Sequence, residues 1–177
     1  NLYTIGITAP QKVTMSGTNT FNNNGNSGTE SGLVVSSDGT ITLNSVTANH
    51  NFFDGVNLNN YTNWSTRLPS PFATFGSVSV TGFGNFASNG NEGLYISTKG
   101  SVSITNISAS SNLNNDGVGI NAYGNVTLTC VATYNNAYGF YMYHQTPLLT
   151  IKGLSSAGNV NSNEFLSYAA ISRTRCP

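Results

Sequence analysis

Valine recurs at positions 78, 102 and 126, spacings of 24 and 24 residues, and around each one the chain repeats a single arrangement. One copy reads Ser77-Val78-Ser79-Val80-Thr81, then Asn89, then Gly93-Leu94-Tyr95-Ile96-Ser97, and closes at Gly100. The next reads Ser101-Val102-Ser103-Ile104-Thr105, Asn112 and Gly117-Val118-Gly119-Ile120-Asn121, closing at Gly124. A third reads Asn125-Val126-Thr127-Leu128-Thr129, Asn135 and Gly139-Phe140-Tyr141-Met142-Tyr143. Upstream, Thr40-Ile41-Thr42-Leu43-Asn44 with Asn51 and Gly55-Val56-Asn57-Leu58-Asn59 is a further copy, Val13 to Gly39 a looser one, and Leu149-Thr150-Ile151-Lys152 opens a sixth. A fixed period of this length is the signature of stacked repeats.

Within each copy apolar residues fall at every second position, the period of a half-buried strand and not of a helix. A third apolar site lies between the two alternating segments, at Val46, Phe83, Ile107, Val131 and Leu154. Three short strands per 22 to 24 residues, bounded by Gly or Asn, describe one turn of a coiled parallel β solenoid. Ile41, Val78, Val102, Val126 and Leu149 are expected to form one interior column, a rung apart at ~4.8 Å. Asn51, Asn89, Asn112 and Asn135 are expected to stack as an amide ladder at the first turn.

Composition fits this frame. Charged residues are 7% of the chain, against roughly 25% in an ordinary soluble domain, so the Glu, Lys and Arg that fill helical surfaces are nearly absent. Like charges on a solenoid would recur on every rung and repel. With a formal net charge of zero there is no basic field for a phosphate backbone, which excludes nucleic acid as an expected partner. Hydrophobic residues reach 38%, too many for a disordered polar tract, and no apolar run approaches the ~18 residues of a membrane span. Asn1 in place of Met reads as the start of a processed chain or of a piece of a longer one.

The repeat resembles the right-handed parallel β-helix of the pectate-lyase-like superfamily, and in style the Asn/Gly/Thr-rich repeats of bacterial surface and adhesin-like proteins. The resemblance covers about residues 11 to 168 and implies one all-β domain over 1–177, with about six rungs, an insertion at 61–76 and a C-terminal cap at 165–177. It implies a fold more than a function, since this scaffold carries lyases, hydrolases, tailspikes, adhesins and ice binders. Lyases of the superfamily combine Ca²⁺-binding acids with a basic residue above an acidic substrate. Only Lys99 and Arg67 are available for that role here, which argues against an acidic-polymer lyase.

Function on a solenoid tends to sit where the repeat breaks. The insertion holds Trp64, the chain's one tryptophan, and Arg67, and leaves the end of a strand whose later equivalents finish at Lys99, Tyr123 and His144. Were the insertion to fold over those ends, Trp64, Arg67, Lys99, Tyr123 and His144 would form an aromatic platform with hydrogen-bonding groups, suited to a neutral sugar. The alternative is that the loop packs on the solenoid's side as a satellite core.

A second feature is a column of acids. Asp54, Glu92 and Asp116 each precede the repeat glycine, and Glu164 takes the matching place in the last copy. Three readings stay open for it: ordinary turn chemistry, Ca²⁺ ligation through stacked carboxylates, or an acid/base pair. Thr42, Ser79, Ser103, Thr127 and Thr150 make an outward hydroxyl file that also raises ice binding, although such residues are the usual way to keep an exposed strand polar. His50 and His144 have no partner at metal spacing.

Cys130 and Cys176 are the two cysteines. A disulfide between them would pin the tail across the open end of the solenoid and imply an oxidising, extracellular setting; two free thiols are the alternative. The sequence thus leads to an expectation of a non-catalytic extracellular surface-protein domain, a spacer or a carbohydrate-contacting adhesive module. A polysaccharide lyase or hydrolase on the same fold stands second, and an ice-binding protein third. The chain is expected to be a monomer or part of a longer polypeptide, with no cofactor, a Ca²⁺ ion on Asp54, Glu92 and Asp116 being the one candidate.

Overall fold

A computed structural model of the chain describes residues 12–60, 76–143, 148–166, 174 and 176 with their side chains, and 62–63, 68–69 and 170–173 as backbone. The described residues hold no helix; parallel strands stack as a β solenoid of about six turns. A ten-stranded and a six-stranded parallel sheet wrap the core. Thr62–Asn63 and Leu68–Pro69 pair antiparallel inside the insertion.

The register follows the period of the sequence. Val13, Ile41, Val78, Val102, Val126, Leu149 and Ile171 lie opposite one another on successive rungs. From Ile41 to Leu149 this column is at most 2% exposed, and Leu43, Val80, Ile104, Leu128 and Ile151 form its equally buried neighbour. Across the core, Val56, Leu58, Leu94, Ile96, Val118, Ile120, Phe140 and Met142 of the six-stranded sheet are fully buried. Each rung therefore supplies the next with apolar surface it could not bury alone.

Two lines of left-handed residues turn the chain. Ser45, Gly82, Asn106, Cys130 and Gly153, with φ between 52° and 85°, mark the corner inside the ten-stranded sheet. Asn23, His50, Ser88, Ser111, Asn135 and Gly158 mark the second. The second line corrects the expected ladder: Asn135 is the corner residue and is exposed, and its neighbour Asn136 is the ladder member. The observed ladder runs Asn24, Asn51, Asn89, Asn112, Asn136 and Asn159, with each Nδ2 donating to the next Oδ1 at 2.8 to 3.0 Å. Gly93 lies against it, because a Cβ there would stand 2.7 Å from the Asn112 Nδ2.

Phe83 is also corrected. It is 86% exposed, and Gly84 takes its place opposite Ile107. Two residues, Gly82 and Phe83, stand at this corner where the neighbouring rungs have one, so the extra residue is extruded. The space left at Gly84 is filled by the Phe86 ring, itself flanked in its column by the small Ala109.

Cys130 and Cys176 form a disulfide, with Cα atoms 5.2 Å apart. Ala170–Thr174 adds a parallel strand beneath Leu148–Ala157, and the bond secures the chain just after it. Cys130 does not face the core. Its φ of 52° places it at the corner, half-buried, and Cys176 reaches it by passing over Gly153. The two cysteines are 46 residues apart, so the closed loop should stabilise the fold by about 4 kcal/mol in the chain-entropy account. Cys176→Ser is accordingly expected to lower the melting temperature by roughly 10 °C in calorimetry without reductant. An unchanged melting temperature would show that the backbone ladder alone holds the tail.

Candidate functional site

The outer face of the six-stranded sheet differs from the rest of the surface. Its strands are Leu33–Ser36, Val56–Asn59, Leu94–Thr98, Asp116–Ala122, Tyr138–Met142 and Ser162–Phe165. Alternation sends every second residue outward, and one such file is Val34, Asn57, Tyr95, Gly119, Tyr141 and Phe165 in register. Tyr141 and Phe165 stack with centroids 4.5 Å apart and planes 9° from parallel. Tyr143 packs on Tyr141 at 4.6 Å and meets Tyr95 edge-on at 6.0 Å, while Tyr138 meets Tyr141 at 5.8 Å. The result is a continuous aromatic surface across four rungs, with Tyr143 and Phe165 the most exposed members at 40% and 48%.

Beneath this surface lie the acids. Asp54, Glu92 and Asp116 occupy successive rungs at the start of the strands, with exposures of 1%, 6% and 1%. Asp54 accepts from the Asn57 and Asn91 amides at 2.9 and 2.8 Å, and Glu92 from Asn91 and Asn115 at 3.1 and 3.2 Å. The Tyr143 hydroxyl donates to Asp116 Oδ2 at 2.7 Å and lies 3.2 Å from Glu92 Oε1. Asp116 Oδ1 and Asn121 Oδ1 are buried without a hydrogen-bond partner in the described structure.

Burial, followed by the charges of Asp54 and Asp116, pushes the Glu92 carboxyl up to about 8, so it carries a proton at neutral pH. Burial likewise pushes Asp116 up to about 6, with the Tyr143 hydrogen bond acting in the opposite sense. The Tyr143 phenol is raised, first by burial and then by its hydrogen bond to Asp116. Tyr95 is raised by burial, with Asn121 and Ser97 hydrogen bonds opposing. A cluster of buried, up-shifted groups under an exposed aromatic surface is the kind of place where function concentrates.

Gly119 makes the arrangement fit. A Cβ there would stand 2.8 Å from Asp116 Oδ2 and 3.2 Å from the Tyr143 ring. The bare backbone lets Tyr143 lean back across the neighbouring strand and place its hydroxyl among the acids.

The structure sorts the sequence-derived candidates. Asp54, Glu92 and Asp116 do form a column. Glu164 does not join it: it lies opposite Phe140, and Ser162 takes the place opposite Tyr138. Among the described residues no group of three His, Cys, Asp or Glu side chains is placed to hold a metal ion. The Asn57, Asn91 and Asn115 amides and the Tyr143 hydroxyl bond every carboxyl oxygen of the column except Asp116 Oδ1. Lys99 and Tyr123 stand at adjacent strand ends, where the Tyr123 N–H donates to the Thr98 carbonyl at 3.1 Å, and Tyr123 is 44% exposed. Trp64, Arg67 and His144, the other members of the expected platform, lie outside the described residues.

The hydroxyl file Thr42, Ser79, Ser103, Thr127 and Thr150 is in register as expected, on the ten-stranded sheet. The aromatic face was missed, although Tyr95, Tyr141 and Tyr143 alternate with the buried Ile96, Phe140 and Met142 in plain view of the period. No protein-family model, no curated protein and no solved structure matches this chain.

Proposed function

We propose that this chain is a non-catalytic module of an extracellular surface protein that contacts neutral carbohydrate through the aromatic outer face of its six-stranded sheet. The observation that carries the reading is the contiguous surface of Tyr95, Tyr138, Tyr141, Tyr143 and Phe165. Phenol and phenyl rings offer apolar faces to the C–H side of a sugar, and Asn57 and Asn59, half-buried on the same face, offer amide groups to its hydroxyls. The outward positions of these strands carry no lysine or arginine, which favours a neutral polymer over an acidic one. The disulfide supports an oxidising, extracellular setting. The solenoid itself serves as a rigid spacer, and kinship with right-handed β-helices of the pectate-lyase-like kind and with adhesin-like repeats belongs to this reading.

A binding role is favoured over a hydrolytic one by the position of the acids. Glu92 and Asp116 lie beneath Tyr143, at 6% and 1% exposure, where a glycosidic oxygen has no approach. Affinity electrophoresis through neutral glucan, xylan and mannan tests the reading, with polygalacturonate as the acidic comparison. Retardation by at least one neutral polymer is expected, and Tyr141→Ala, at the centre of the cluster, should weaken it by at least about tenfold while the circular dichroism stays unchanged. Equal retention by Tyr141→Ala, or retention by polygalacturonate alone, would overturn it.

A further inference from the structure

We propose that the chain pairs with a second copy of itself through the ridge beside the asparagine ladder, the two solenoids lying side by side and antiparallel. The pairing is independent of the carbohydrate reading and gives a reversible homodimer where the sequence led to an expectation of a monomer.

The ridge is formed by the residue that follows each ladder asparagine: Gly25, Phe52, Gly90, Leu113, Ala137 and Val160 on successive rungs. The Phe52, Gly90, Ala137 and Val160 N–H groups each donate to the ladder carbonyl of the rung before, at 2.9 to 3.1 Å. Small and large residues alternate along it. Phe52, Leu113 and Val160 are 45%, 73% and 81% exposed, whereas Ala137 is 6% exposed and Gly90 has no side chain. The hollow at Gly90 is fixed by the backbone, since a Cβ there would meet the Phe52 carbonyl. Phe52 and Leu113 wall an open depression floored by Asn89 and Gly90. Apolar projections therefore recur every second rung, ~9.6 Å apart, with a hollow between. Large exposed apolar side chains in a line mark a contact surface, which scattered single ones would not.

The alternation selects both the partner and its direction. A two-fold axis perpendicular to the solenoid sets the first rung opposite the sixth, the second opposite the fifth and the third opposite the fourth. All the rungs then overlap, and every large residue meets a small one. Leu113 of one copy enters the Gly90 hollow of the other, Phe52 lies over Ala137, and Val160 reaches the Gly25 rung, each contact being made twice as an isologous interface requires. A parallel pair in the same register would instead set Phe52 on Phe52 and Leu113 on Leu113, and one displaced by a rung would leave an end of each ridge uncovered. On the corner side of the ridge the same axis brings Ser88 beside Ser111 and His50 beside Asn135. Neither the ridge nor this flanking file holds a Lys, Arg, Asp or Glu, so a surface that meets itself brings no like charges together. The strip is roughly 24 Å long and, at four residues, roughly 13 Å wide. Interdigitated, it removes on the order of 1,000 Å² from water over the two copies, the lower end of specific interfaces, which corresponds to a dimer that forms and separates in the micromolar range.

Sedimentation equilibrium of the chain with its disulfide formed, from about 1 to 500 μM, should show a monomer–dimer equilibrium. Leu113→Asp drives a charge into a neutral hollow and should weaken the dimer by at least about tenfold. Phe83→Asp is the control, because Phe83 is 86% exposed but stands at the other corner, and its loss should leave the dissociation constant within about twofold. Cysteine crosslinking reads the direction. The two Leu113 positions straddle the axis one rung apart, about 5 Å along the solenoid, so Leu113→Cys should be captured as a covalent dimer under mild oxidation. The two Val160 positions lie five rungs apart, roughly 24 Å, so Val160→Cys should not be captured. A chain that stays monomeric throughout, a dimer weakened as much by Phe83→Asp as by Leu113→Asp, or one that Val160→Cys captures as readily as Leu113→Cys would overturn the proposal.

Discussion

Replacing Asn112 by alanine is expected to lower the free energy of unfolding by about 5 kcal/mol, a large part of the 5–15 kcal/mol typical of a whole domain. Asn112 is fully buried at the centre of the ladder and makes four hydrogen bonds through its side chain. Its Oδ1 accepts from the backbone N–H and the Nδ2 of Asn89, both at 3.0 Å. Its Nδ2 donates to Asn136 Oδ1 at 2.8 Å and to the Phe86 carbonyl at 3.0 Å. Truncation takes a partner from two donors of Asn89 and from the Phe86 carbonyl in a dry interior, at roughly 1–3 kcal/mol each, and the Asn136 Oδ1 keeps only its bond from the Asn112 backbone N–H. Aspartate would be no remedy, since it can accept from Asn89 but cannot donate onward. Urea unfolding measures the effect, with Asn114→Ala as control because Asn114 is exposed on the same turn. A loss below about 1 kcal/mol would mean that the ladder is decoration on a fold held by its apolar columns.

That ladder also marks how far a sequence of this kind can be read. Strand registers were legible, because the interior columns demand an apolar residue at every second position and a slip by one would expose them all. The turns were not. Between one column and the next the chain tolerates an extra residue, as at Gly82 and Phe83, and the period alone does not say which of Asn135 and Asn136 takes the left-handed corner. Glu164 was misplaced for the same reason, two positions along its strand from the acid column. The candidate site was half legible. Its acids share one repeat position, but the contact that organises them joins Tyr143 to Glu92 across 51 residues and reaches diagonally over Gly119, a direction that the repeat does not encode.

The buried acids predict a second large effect, opposite in sign to the common acid lability of proteins. Glu92 rises from 4.5 to about 8 on folding, so the folded state holds its proton more tightly than the unfolded chain. Stability from that difference is fully present below pH 4.5, and it is lost as the pH rises from there towards 8, where the unfolded chain has released the proton and the folded protein still holds it. The linked change is on the order of 5 kcal/mol at 1.36 kcal/mol per unit. Asp116, raised from 3.8 to about 6, acts in the same direction over the lower part of that window. Urea unfolding at pH 4.5 and at pH 9 should therefore show a protein several kcal/mol more stable in mild acid, with the loss spread between the two. Glu92→Gln removes the titrating proton and keeps the shape, so its profile should be nearly flat above pH 6. A wild type whose stability holds level or climbs between pH 5 and 8 would refute the assignment of a protonated Glu92 under Tyr143.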